Sequence, residues 1–149
     1  MSRVQLALNV ADLDESIAFY SKLFQTAPAK VRDGYANFAI ADPPLKLILF
    51  AGAGEPGSLN HVGVEVDSPA DVANAIARAT AEGMSQDIQE NVSCCYAVQD
   101  KTWVEGPDNA WEFYTVLADA PDLACSVTSD GACESGPEGS ATGDAASCC

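Results

Sequence analysis

The sequence is poor in bases. Seven Lys and Arg stand against 22 Asp and Glu, for a formal net charge of −15. Nucleic-acid binding runs through basic contacts to phosphate, so this balance argues against it. It argues equally against an anionic membrane surface. No apolar run reaches the ~18 residues that a spanning helix needs. The first residues, MSRVQLALNVADLD, carry no signal-peptide core, and the expectation is a cytoplasmic protein. The single histidine, His61, leaves no convincing serine–histidine–acid triad. GxGxxG, a phosphate loop and HExxH are all absent. Residues 119–149 lack Lys, Arg, Phe, Tyr and Trp. A segment with so little to bury is expected to be a disordered, acidic, cysteine-containing tail. The folded domain is then about residues 1–118.

Six cysteines are present. In a short secreted chain they would suggest a disulfide framework. Here Cys94 and Cys95 are adjacent within the folded part, whereas Cys125, Cys133, Cys148 and Cys149 fall in the tail. Without a signal segment they read mostly as thiols in a reducing compartment.

The hydropathy pattern restarts halfway along the chain. Val4–Val10 alternates, with Val4, Leu6, Leu8 and Val10 on one face and Gln5, Ala7 and Asn9 on the other, as a strand does. Asp12 follows as a helix N-cap with Glu15 in the capping-box position. Leu13, Ile17, Tyr20 and Phe24 form the apolar stripe of that helix. Tyr35–Ile40 and Leu45–Phe50 read as strands around an Asp42-Pro43-Pro44 turn, and Arg32–Gly34 can hide a further strand. His61–Val66 is again a strand, and Ser68-Pro69 starts a second helix that ends at Gly83. Its stripe is Val72, Ile76 and Ala79. Ser93–Gln99, Lys101–Val104 and Trp111–Val116 read as the last three strands.

A shift of 56 residues lays Gln5-Leu6-Ala7-Leu8-Asn9-Val10 over His61-Val62-Gly63-Val64-Glu65-Val66, and Asp12 over Ser68. The pattern predicts an α+β fold of tandem βαβββ modules, about 1–52 and 58–118, with curved mixed sheets around a cavity that can hold a metal.

Gln5 and His61 hold equivalent places opposite the apolar faces of equivalent strands. Glu112 lies in the last strand, with Tyr114 on its face. One imidazole nitrogen and two oxygens would make a three-ligand site for ferrous, manganous or zinc ion with open positions. From the pattern alone, a histidine near a strand start is more often an ordinary polar residue, and a core hydrogen bond explains Gln5 equally well. Cys94 and Cys95 allow two readings. Within one strand their side chains would point to opposite faces. On a loop or a strand edge both sulfurs can converge on one soft atom, such as a trivalent arsenical. Packing as two small hydrophobes explains them equally well. Trp103 and Trp111 read as core or cavity walls, and Lys46 and Lys101 as surface charges.

The segments SRVQLALNVADLDESIAFYSKLF, GYANFAIADPPLKLILF, LNHVGVEV and CCYAVQDKTWVEGPDNAWEFYTVL carry a resemblance. Together they resemble the glyoxalase, bleomycin-resistance and extradiol-dioxygenase superfamily, also called vicinal oxygen chelate. Within it they look most like carbon–arsenic lyases acting on trivalent methylarsenicals, and like the related cadmium-induced proteins. The resemblance implies ferrous ion held by Gln5, His61 and Glu112, which would then be catalytic, and a trivalent organoarsenical held by Cys94 and Cys95. It implies dioxygen as co-substrate, arsenite as product and a homodimeric assembly. Cys125, Cys133, Cys148 and Cys149 would be accessory thiols. Two alternatives accompany this reading: a non-catalytic thiol protein that sequesters metalloid, and another dioxygenase or a glutathione-dependent isomerase on the same scaffold.

Overall fold

The computed structural model describes residues 1–121, together with 126–127 and 133–134. Its first module runs β1 (Arg3–Val10), α1 (Leu13–Phe24), β2 (Lys30–Arg32), β3 (Tyr35–Ile40) and β4 (Leu45–Ala51). The second runs β5 (Leu59–Glu65), α2 (Pro69–Ala81), β6 (Gln86–Cys94), β7 (Ala97–Glu105) and β8 (Ala110–Asp119). This is an α+β fold of tandem βαβββ modules. Two short strands follow, β9 (Ser126–Val127) and β10 (Cys133–Glu134), paired antiparallel. Otherwise the expected tail lies outside the described residues. No helix among them is long and apolar enough to cross a membrane.

The chain divides into two compact units. The first is Met1–Glu65 with Gly106–Trp111; the second is Val66–Glu105 with the residues from Glu112 on. In the first unit the strand order is β2-β3-β4-β1-β5. β1 runs parallel to β4 and antiparallel to β5, so the sheet is mixed. Its apolar core is Ala36, Phe38, Ile40, Leu47 and Leu49. The helix stripe Leu13, Ile17, Tyr20 and Phe24 packs onto it with Leu6, Leu8 and Val10. The helix starts where Asp12 Oδ1 accepts from the Glu15 amide at 2.8 Å. Such a cap contributes about 1 kcal/mol.

In the second unit the order is β8-β7-β6. α2 begins at Ser68, whose hydroxyl accepts from the Asp71 amide, with Pro69 in the first turn. Val72, Ala75 and Ala79 are its buried face.

The division of the last strands differs from the sequence reading. Ser93–Gln99 is not one strand. The chain reverses within it, at Cys95 and Tyr96, whose φ values are 51° and 60°. β6 therefore begins seven residues earlier, at Gln86, and Lys101 belongs to β7. Gln86–Asn91 has little apolar periodicity because its residues are mostly half-buried or exposed. Two left-handed residues in succession form a tight hairpin turn, ordinarily the place of Asn-Gly. Cys-Tyr gives no such signal. The strand hidden near Arg32–Gly34 is β2, at Lys30–Arg32.

Candidate functional site

The ladder between β1 and β5 has local twofold character. Leu6 pairs with Val62, its own counterpart in the repeat. Gln5 pairs with Gly63, and Ala7 with His61. Gln5 and His61 thus lie on one diagonal of one sheet face, each across from a residue too small to crowd it. Their side chains meet, Gln5 Nε2 to His61 Nε2, at 2.8 Å. Gln5 is 2% and His61 8% exposed. The face that alternation marks as polar is therefore the more buried one: Gln5, Ala7 and Asn9 are buried, while Val4 is exposed. The other face carries the side chains that meet α1. The Phe50 ring stands 6.2 Å from the imidazole.

The imidazole is held from its other side. Asn60 Oδ1 lies 2.8 Å from His61 Nδ1, and Asn60 Nδ2 donates to Asn9 Oδ1 at 2.9 Å. Nearer the far end of β1, Glu65 accepts from Arg3 Nε at 2.8 Å and lies 3.4 Å from Lys46 Nζ. Burial works against the Glu65 carboxylate, but hydrogen bonding to Arg3 and attraction to Lys46 and Arg3 outweigh it. Its pKa lies below the usual glutamate range. Lys46 is thus half of a partly buried ion pair rather than a mere surface charge.

In the second unit Cys94 closes β6 and Cys95 opens the turn. That break in alternation lets the sulfurs approach to 3.8 Å. Cys94 retains its thiol, whereas Cys95 is disulfide-bonded. The reading of both as thiols therefore holds for Cys94 alone. Left-handed backbone at a non-glycine residue is strained, more so for a bulky one. Here Cys95 and Tyr96 bear it within a buried turn.

Lys101 departs most from expectation. It is not a surface charge: its side chain is fully buried, 3.2 Å from Glu112 Oε1, and Glu112 is itself 3% exposed. Burial disfavours the ammonium, but attraction to Glu112 and then to Cys94, with hydrogen bonds to both, outweighs it. The Lys101 pKa is raised. A buried cation thus connects a candidate metal carboxylate to a candidate substrate thiol. The Trp103 ring lies 5.6 Å from Lys101 Nζ. Trp111 is 41% exposed, so it is not a core residue within its unit. Gln99, also buried, donates weakly to the Cys94 carbonyl at 3.4 Å. Cys125, Cys148 and Cys149 lie outside the described residues, as does the side chain of Cys133.

The sequence pattern of the Glyoxalase/Bleomycin resistance protein/Dioxygenase superfamily matches residues 3–115. The chain belongs to this superfamily. Among its members, the trivalent organoarsenical cleaving enzyme of Thermomonospora curvata is 55% identical over the whole of both chains. The cadmium-induced protein CadI of Mycobacterium tuberculosis is 51% identical over all of this chain and 93% of its own length. A solved homoprotocatechuate 2,3-dioxygenase from Brevibacterium fuscum shares the superfamily fold at 21% identity. It covers 81% of this chain and 38% of its own, with a TM-score of 0.58.

Sequence reasoning missed Lys101, Asn9 and Asn60. A lone lysine in a polar stretch reads as solvated, and only its partners reveal its burial. Asn60 stands immediately before His61, and Asn9 shares the face of Gln5. Those two positions were the available signal.

Proposed function

We propose that the chain cleaves the carbon–arsenic bond of trivalent organoarsenicals such as methylarsenite, using ferrous ion and dioxygen and releasing arsenite. The observation that carries this reading is the 55% identity, over full length, to an enzyme named for cleaving trivalent organoarsenicals. Gln5, His61 and Glu112 would hold the ion. Among the described residues, no three His, Cys, Asp or Glu side chains gather as a metal site. The proposed set differs in using the Gln5 amide. An amide oxygen, a neutral imidazole and one carboxylate suit a divalent ion of intermediate hardness. The contact between Gln5 and His61 supports their sharing one ion, once the amide turns to present Oε1. Bound ferrous ion would supply the activation of dioxygen that thiol capture alone lacks.

The remaining roles belong to the chain's own side chains. Cys94 and Cys95 would hold arsenic through sulfur and so fix the carbon–arsenic bond in place. Capture by both sulfurs requires Cys95 as a thiol, so an external thiol reductant, itself oxidised to a disulfide, must first open the Cys95 disulfide. Lys101 would keep Cys94 reactive while holding the Glu112 carboxylate in orientation. Burial of the imidazole and of the thiol excludes competing water.

The test is arsenite release from methylarsenite by reduced, iron-loaded protein, with and without oxygen. Oxygen-dependent release is expected, and its absence overturns the proposal. A thiol protein that only sequesters metalloid is the second reading, favoured by the sulfurs at 3.8 Å. Under that reading His61→Ala leaves arsenical binding and its outcome unchanged; under ours, binding persists and turnover is lost.

A further inference from the structure

The hydrogen bonds behind His61 run in one direction, and a single peptide carbonyl sets it. Ser58 Oγ lies 2.6 Å from the carbonyl oxygen of Glu55. That oxygen can only accept, so the Ser58 hydroxyl must donate its one proton there. Asn9 approaches the same Ser58 oxygen at 2.9 Å and must therefore present its NH2 group. Its Oδ1 then faces Asn60 at 2.9 Å, which fixes the Asn60 amide with NH2 toward Asn9. Asn60 Oδ1 is thereby turned to His61 Nδ1, 2.8 Å away, and can only accept from it.

From this chain of constraints we infer that Asn60, Asn9 and Ser58 form a positioning relay holding His61 as its Nδ1–H tautomer. Nε2 is then the unprotonated nitrogen, directed at Gln5. The 2.8 Å contact from Gln5 Nε2 agrees, since an amide NH2 there must donate and Nε2 must accept. The relay is anchored in the loop before β5. The Asn9 amide donates to the Ser58 carbonyl at 3.0 Å, and the Gly57 amide to the Asn9 carbonyl at 2.8 Å. Gly54 leaves room for it: a Cβ there would stand 2.6 Å from Asn9 Nδ2.

The value of the relay to an iron site rests on the proposed function. An imidazole binds a metal through an unprotonated nitrogen, and the hydrogen bond at its other nitrogen selects which one that is. The tautomer itself does not depend on that reading. Because His61 is the sole histidine, ring-nitrogen NMR of the 15N-labelled full chain without metal reads it without assignment. With the ring neutral, the wild type is expected to show protonated Nδ1 and unprotonated Nε2. Asn60→Leu should shift the ring toward the Nε2–H tautomer. Ser58→Ala, a milder change that keeps the fold testable, should give a mixture. A wild-type ring protonated at Nε2, or an Nδ1–H tautomer unmoved in both variants, overturns the relay. Anaerobic titration with ferrous ion is the second readout, and Asn60→Leu should weaken binding about 10–100-fold. A tautomer that switches while ferrous binding stays unchanged supports the relay and overturns the iron reading of His61.

Discussion

The ladder between β1 and β5 holds its polar side chains by register, whereas the β6–β7 hairpin holds its sulfurs by a turn. In the ladder, regular alternation and pairing carry Gln5 to His61, and small residues opposite give them room. In the hairpin, regularity has to fail at Cys95 for the two sulfurs to approach. Around Gln5 and His61 the first arrangement consists of neutral groups linked by hydrogen bonds, and its ion pairs lie at the Arg3–Glu65 end of the ladder. The second is electrostatic, with Lys101 buried against Glu112 and Cys94. The polar side chains around His61 are ordered by neutral geometry and those around Cys94 by charge, so different substitutions should break them.

The largest effect is expected on turnover. His61→Ala should abolish oxygen-dependent arsenite release and iron retention while leaving arsenical capture by sulfur intact. Metal analysis alongside arsenite release checks both. Loss of capture in this variant would show that the two regions do not act separately.

The next largest is on stability in the charged region. Lys101→Met leaves the Glu112 carboxylate buried without its cation, which should cost about 3–5 kcal/mol. Urea unfolding measures it. Lys101→Met combined with Glu112→Leu should recover most of that loss, because a buried pair replaced whole leaves no stranded charge. A double variant no more stable than the single one would break the electrostatic side of the comparison.

A smaller effect is expected in the ladder. Gly54→Ala places a methyl against the Asn9 amide. A loss of about 1–3 kcal/mol follows, the usual range for crowding a packed site. It should come with a disturbed His61 ring spectrum and unaltered reactivity at Cys94.

The smallest effect is a difference in pH response. The Glu65 pKa is lowered in the folded state. Its contribution is present above the unfolded glutamate value and is lost as pH falls through the folded one. The Lys101 pKa is raised. Its contribution is complete below the unfolded lysine value and is lost as pH rises through the folded one. Hydrogen exchange should show β1 and β5 loosening first in acid, and β7 first in alkali. Arg3→Ala should weaken the acid response alone.

Much of the ladder was legible in the sequence, because a repeat carries three-dimensional information. Once Gln5 and His61 occupy equivalent positions, antiparallel pairing about a local twofold makes them neighbours. The capping residues Asp12 and Ser68 were legible for a similar reason, since the signal is local and its chemistry specific. The hairpin was not. Its turn uses Cys-Tyr where Asn or Gly would announce left-handed backbone, so Ser93–Gln99 reads as continuous strand. Lys101 was hidden because burial of a charge depends on partners distant in sequence, here the Glu112 carboxylate. Asn60 was overlooked because its role lies in the direction of a hydrogen bond, which no spacing encodes.

The pairing of Leu6 with Val62 also bears on ancestry. A strand that meets its own counterpart about a twofold is what two identical chains build when they associate. A half-length ancestor could have formed this ladder with a second copy of itself, but symmetry would have given it the same side chain at positions 5 and 61. A single chain that carries both strands is free of that constraint. One strand then carries an amide and its counterpart an imidazole, and a near-symmetric seam sets two unlike side chains against each other.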